Sequence, residues 1–167
     1  MEKFLKYTLS TGFDVSTASF VDGFSISSQE THISDLAFST DGTKMFIVGT
    51  NSKSVFEYNL STGFDVSTAS YVDGFSVGSQ ETVPTGLEFS ADGKRMFITG
   101  NNGDDVTEYK LTTAFDVSTA SHVGQFDVSS QETQASSIAF NAEGTKMFVL
   151  GYNGEDVNEY NLSLIHI

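Results

Sequence analysis

The chain offers few side chains with which to do chemistry, and its histidines are the first to consider. His32, His122 and His166 are the only three. Each falls at a different place relative to the motifs around it, so together they make neither a recurring triad nor a ring of ligands. His122 stands where parallel segments carry Phe20 and Tyr71, and reads as a residue filling an aromatic slot. His32 stands where the others carry Val83 and Gln134, and reads as a loop residue. Two acidic loops, Asn101-Asn102-Gly103-Asp104-Asp105 and Tyr152-Asn153-Gly154-Glu155-Asp156, gather hard oxygen donors around a glycine, the raw material of a calcium site. The equivalent Thr50-Asn51-Ser52-Lys53-Ser54 has a lysine and no acid, and the spacing misses the alternation of a calcium hand. Hairpin turns select Asn, Gly and Asp for positive φ alone. We therefore expect no metal and no cofactor, with calcium at these loops left as an open alternative.

The recurring acids read structurally. Glu57, Glu108 and Glu159 each precede a tyrosine on a strand, and suit a hydrogen bond between structural units better than a general base, since no paired acid accompanies them. Asp14, Asp65 and Asp116 each precede Val-Ser-Thr and suit Asx turns. Cysteine is absent, which removes thiolate nucleophiles, disulfides and thiolate metal sites. No glycine-rich phosphate loop or serine nucleophile elbow is visible. On this inventory the protein is expected not to be an enzyme.

The elements that must position these residues are repeated. Phe13-Asp14-Val15-Ser16-Thr17-Ala18-Ser19 recurs unchanged at 64 to 70 and 115 to 121, every 51 residues, and Gln29-Glu30-Thr31 recurs at 80 to 82 and 131 to 133. The 167 residues divide into 1–12 (the end of a preceding unit), copies at 13–63, 64–114 and 115–163, and a tail at 164–167. Each copy reads as four short strands with no helical periodicity: about Phe20 to Ile26, Ile33 to Ser39, Lys44 to Gly49 and Ser54 to Leu60. The third is apolar on both faces (Met45-Phe46-Ile47-Val48), so it must be covered on both sides. Small four-stranded sheets stacked face to face are the architecture that satisfies this, in repeats that cannot bury their apolar faces alone.

The stretches Leu36 to Phe46, Leu87 to Phe97 and Ile138 to Phe148, with Phe-Ser-x-Asp-Gly in the first two and Phe-Asn-x-Glu-Gly in the third, resemble the strand-turn-strand of bacterial β-propeller repeats, the broad group of WD40-like, YVTN and lactonase-like blades. The resemblance implies an all-β array of three four-stranded antiparallel blades, too few to close a ring. The last residues, Leu164-Ile165-His166-Ile167, depart from the Thr-Gly-Phe-Asp of the repeat. With Leu162 and Ser163 they match the in-frame translation of a transposon end used in preparing sequencing libraries, so we expect a non-native tail on a truncated environmental sequence.

Net charge is −14, from 8 Lys plus Arg against 22 Asp plus Glu, which disfavours nucleic acid and anionic membrane surfaces. The opening seven residues hold no long apolar run, and neither a signal peptide nor a membrane span is read there. Acidic, Ser/Thr-rich, Cys-free repeats suit an extracellular or cell-surface setting. Where the copies differ is informative. The Asp41-Gly42 turns and the Phe-Asp-Val-Ser-Thr segments vary little, and a four-stranded meander puts both at one end. The other end carries the variable loops, with His32, Asn51, Asn102, Asp104, Gln134, Tyr152 and Asn153 as candidate binding residues. The expected function is a non-catalytic interaction module for a protein or glycan, with self-association through exposed blade edges. A fragment of a lactonase-like propeller enzyme is the alternative, and a structural phage or surface array a third reading.

Overall fold

A computed structural model describes residues 3–162. His166 and the tail at 164–167 lie outside the described residues. Thirteen strands follow in order: β1 (Lys3–Leu9), β2 (Ala18–Ser25), β3 (Ile33–Phe38), β4 (Lys44–Gly49), β5 (Ser54–Leu60), β6 (Ala69–Ser76), β7 (Pro84–Phe89), β8 (Arg95–Gly100), β9 (Asp105–Leu111), β10 (Ala120–Asp127), β11 (Ala135–Phe140), β12 (Lys146–Gly151) and β13 (Val157–Asn161). They form four antiparallel sheets, ordered β1-β2, β3-β4-β5-β6, β7-β8-β9-β10 and β11-β12-β13. The fold is all-β and propeller-like, and the sheets are not closed into a ring. Strand β7 packs against both β3 and β11, so the first strands of the three larger sheets form the inner layer of the stack.

The strand grouping read from the sequence needs correcting. The strand near Phe20 does not pair with the one near Ile33: β2 pairs with β1, and β6 with β5, across the Phe-Asp-Val-Ser-Thr connection. Two sheets are therefore complete, flanked by a two-stranded and a three-stranded one, and the sheets run out of phase with the copies at 13–63, 64–114 and 115–163. The reason is local. A tight turn led by an Asp cap holds β5 to β6, whereas the connection through Gln29-Glu30-Thr31 crosses from one sheet to the next.

Burial follows the two-sided strand. Met45, Phe46, Ile47 and Val48 are all fully buried. Met45 and Ile47 join Ile26, Tyr58 and Leu60 on the side of the first sheet, while Phe46 and Val48 join Val55, Leu87, Phe89, Met96 and Val117 on the other. Each blade thus contributes half of two separate cores. A third core, with Val106, Val128, Ile138, Met147 and Val149, joins the last two sheets. Alternation of side chains across a strand delivers this, because successive residues point to opposite faces.

The hairpin between β3 and β4 shows how the sequence secures its turns. Asp41 accepts from the Ser39 hydroxyl (2.7 Å) and from the Thr43 amide (3.0 Å) and hydroxyl (2.8 Å). The Thr43 amide bond, then these hydroxyls, hold its carboxyl down to about 2. Gly42 follows at φ +70°, and a Cβ there would run into the Phe64 ring.

Candidate functional site

The two ends of the stack differ in construction, as the loop variation implied. At the constant end, Asp14, Asp65 and Asp116 each accept the amide of the residue two ahead, at 3.0, 3.1 and 3.2 Å, which bears out their reading as Asx turns. Glu57 is buried, pairs with Lys44 through one oxygen and accepts the Val117 amide of the next sheet at 3.0 Å through the other. It is an inter-blade hydrogen bond, as expected. Glu108 and Glu159 keep the cation half of this arrangement, with Arg95 and Lys146.

At the variable end, the seven candidate residues all sit on the β4–β5, β8–β9 and β12–β13 turns or the inter-sheet crossings beneath them. The structure brings them together within each sheet through a buried glutamate. Glu30 accepts from the amides of Thr31 and His32 (both 2.7 Å) and from the amide (3.0 Å) and hydroxyl (2.6 Å) of Ser52. Glu81 accepts from Val83 (2.6 Å) and Gly103 (2.9 Å), and Glu132 from Gln134 (2.6 Å) and Gly154 (2.8 Å). Burial raises the Glu30 carboxyl, but the Ser52 hydroxyl and the backbone amides outweigh it, leaving it below the usual range. The Gly154 amide is the main influence pulling Glu132 down. Glu30, Glu81 and Glu132 were visible in the sequence as part of a shared Gln-Glu-Thr, but without a role. The neighbouring Gln29, Gln80 and Gln131 accept from Tyr58, Tyr109 and Tyr160 at 3.3, 3.2 and 3.3 Å, so the tripeptide ties each crossing to the strand and to the turn above it.

The candidate residues then separate into roles. Asn51, Asn102 and Asn153 donate to Thr31, Thr82 and Thr133 at 2.6, 2.8 and 3.0 Å, closing each turn over its glutamate. His32 and Gln134 each give a backbone amide to that glutamate and take one from the turn, Thr50 and Tyr152 respectively, both at 3.0 Å. Asp104 occupies the left-handed region (φ 50°), as do Lys53 (52°) and Glu155 (52°) at the same turn position, whereas Gly103 and Gly154 do not, and a Cβ on either would come within 3.0 Å of the glutamate beneath it. Among the described residues no group of three or more His, Asp or Glu is arranged to hold a metal. Tyr152 differs from all of these. It is 72% exposed and borders a pocket of about 510 Å³ with Ser136, Leu150, Asn153 and Glu155. His122, at the opposite end of its strand, packs edge-on against Tyr109 at 5.8 Å, as Tyr71 does on Tyr58, and fills an aromatic slot.

One residue escaped the sequence reading. Glu88 stands on the inner strand β7 where Ala37 and Ala139 stand on β3 and β11, and that difference was its only signal. Burial raises its carboxyl, the Phe89 amide lowers it and nearby Asp35 raises it, with a net upward shift. A carboxyl raised in the fold is at its most favourable below its ordinary 4.5, and loses that advantage as pH climbs through the raised value. Glu88→Gln should therefore leave stability near pH 4 almost unchanged and increase it at pH 7. Equal melting-temperature differences at the two pH values would contradict this.

Comparison with known proteins supports the fold. No protein-family profile matches the chain, and no curated protein matches it by sequence. Several solved structures are similar. A Bacteroides uniformis protein assigned as a 6-phosphogluconolactonase superposes with a TM-score of 0.67 at 12% identity, covering 96% of this chain and 44% of its own. The Pseudomonas aeruginosa periplasmic gluconolactonase PpgL gives 0.57 at 18% identity over 77% of this chain and 35% of its own. The β-propeller domain of Cps50 (Swd1) from Myceliophteria thermophila gives 0.60 at 12% identity over 86% of this chain and 42% of its own. The chain spans less than half the length of each. These likenesses show a β-propeller-like fold. They also correct the expectation that the protein is not an enzyme: lactonases stand among the similar structures, and a thin inventory of catalytic side chains in a partial ring does not exclude hydrolysis.

Proposed function

We propose that this chain is part of a lactonase-like β-propeller whose variable end binds a polyhydroxylated ring, an aldonolactone, in an extracellular or cell-surface setting. The observation that carries the reading is the pocket bordered by Tyr152, Asn153, Ser136 and Glu155. An exposed aromatic ring can cover the C–H face of a sugar, while amide, hydroxyl and carboxylate groups satisfy its hydroxyls. Glu132 fixes the loop from beneath, so the polar groups are held before a ligand arrives. The net charge of −14 selects an uncharged lactone over a phosphorylated one. The similar gluconolactonase lends the substrate class.

Titration with glucono-δ-lactone tests this, read as heat of binding and as acid release above the spontaneous rate. Binding should weaken at least tenfold in Tyr152→Ala, a loss of about 1.4 kcal/mol. Neither heat nor acid release in the unsubstituted protein, or equal affinity in the variant, would remove the proposal.

A further inference from the structure

The variable turns of the two complete sheets are built alike, and one residue makes them chemically different. Asn51 and Asn102 are exposed and donate their side-chain amides to Thr31 and Thr82 at 2.6 and 2.8 Å. The backbone amide that follows each donates to the glutamate beneath, Ser52 to Glu30 at 3.0 Å and Gly103 to Glu81 at 2.9 Å. The first turn therefore carries Asn-Ser and the second Asn-Gly. Packing, and not a left-handed backbone, selects that glycine. A Cβ on Gly103 would lie 3.0 Å from a Glu81 carboxylate oxygen and 3.2 Å from one of Asp105, and Asp105 stands where the first turn has the shorter Ser54.

Asn-Gly is a dipeptide whose side-chain amide is open to attack by its own backbone. The Gly103 nitrogen and the Asn102 Cγ belong to adjoining residues, so closing a ring between them needs no encounter, and the missing Cβ removes the main steric obstacle. In that reaction the nitrogen gives its proton to hydroxide and bonds to Cγ, the Cγ–Nδ2 bond breaks, and ammonia leaves with a proton from water. Water then opens the cyclic imide at either carbonyl, leaving aspartate or its β-linked isomer. The folded turn opposes these steps. The proton that must leave is directed at Glu81, and an amide anion formed there would face the carboxylates of Glu81 and Asp105, both buried. The leaving nitrogen is tied to Thr82, which holds the side chain in place.

We propose that Asn102-Gly103 is a latent site of self-modification, held back by Glu81 and released when the turn opens. Its rate then follows the population of the open turn rather than the intrinsic chemistry of the dipeptide. The change runs one way. Aspartate at 102 lacks the donor that meets Thr82, and it brings another charge to a turn that already holds Glu81, Asp104 and Asp105. The β-linked form also adds a methylene to the backbone, which carries the Gly103 amide away from Glu81. Ring closure during one opening thus converts a closed turn at the variable end into an open and more acidic one. The inference is independent of the lactone reading, which concerns the pocket on the last sheet.

Peptide mass mapping of the protein incubated in mildly alkaline buffer reads the conversion of amide to carboxylate at Asn102 and Asn153 in one sample. Asn153-Gly154 is the internal reference, because its backbone amide is held by a different glutamate, Glu132, at 2.8 Å. In the folded unsubstituted protein Asn102 should convert at least roughly tenfold more slowly than in the same protein unfolded in urea. Glu81→Ala should accelerate Asn102 at least roughly tenfold and leave the Asn153 rate unchanged. Glu81→Gln keeps one acceptor oxygen and should do the same by a smaller factor, so it decides the matter where the alanine variant does not fold by circular dichroism. Equal Asn102 rates in the folded and the urea-unfolded protein overturn the proposal, as does an Asn102 rate that neither substitution changes. Acceleration of Asn102 and Asn153 alike in a folded variant would mean that the fold as a whole, and not Glu81, holds the site back, and overturns it too.

Discussion

Replacing Glu81 by Ala is expected to destabilise the protein by about 3 kcal/mol, because it strands backbone donors that have no other buried acceptor. Glu81 is 1% exposed and takes the Val83 and Gly103 amides. A Cβ on Gly100 would collide with its carboxylate, so the glutamate is packed as closely as it is bonded. For a chain of this size, each kcal/mol moves the melting temperature by about 2–4 °C, which gives a drop of roughly 6–12 °C in a calorimetric scan. Glu81→Gln keeps one acceptor oxygen and should recover part of the loss. Water entering the space left by Ala would satisfy the donors, and a drop under about 2 °C would show that it does.

The second large effect is a graded series. Phe13, Phe64 and Phe115 sit in an identical heptapeptide, yet Phe13 is fully exposed, Phe64 is 57% exposed and Phe115 is half-buried between Phe46 and Phe89. Phe→Ala should cost almost nothing at Phe13, an intermediate amount at Phe64 and about 3 kcal/mol or more at Phe115, where a cavity opens in the core. Chemical denaturation of the three dilute variants measures this ordering. Equal losses at all three would mean that the turn contributes only through its own backbone, and that the neighbouring sheet adds nothing.

Much of this molecule is written in short stretches. The two-sided run Met45-Phe46-Ile47-Val48 demanded cover on both faces, and it lies between two cores. Asp14-Val15-Ser16 announced a capped turn, and Glu57 a bond between blades. The grouping of strands was not legible, since β2 is equally compatible in pattern with β1 or β3, and only hydrogen bonding between strands distinguishes them. Nor was the role of Glu30, Glu81 and Glu132. Their partners Ser52, Gly103 and Gly154 lie 22 residues away, and become neighbours only once β3 and β4 have paired and the turn folds back.

The candidate rim divides in the same way. Variation among copies located the end of the stack that carries Tyr152 and its pocket, because a meander leaves no freedom about which loops share an end. It could not separate Asn51, Asn102 and Asn153, whose amides close turns, from Tyr152, whose ring stands clear. By itself the sequence determined the strands, the turns and the need for stacked sheets, all of which follow from periodicity and local hydrogen bonding within a few residues. The tertiary structure alone decided which strands share a sheet, which identical phenylalanines are buried and which acids are clamps. Those outcomes depend on what the neighbouring sheet presents, and one repeat carries no record of its neighbour.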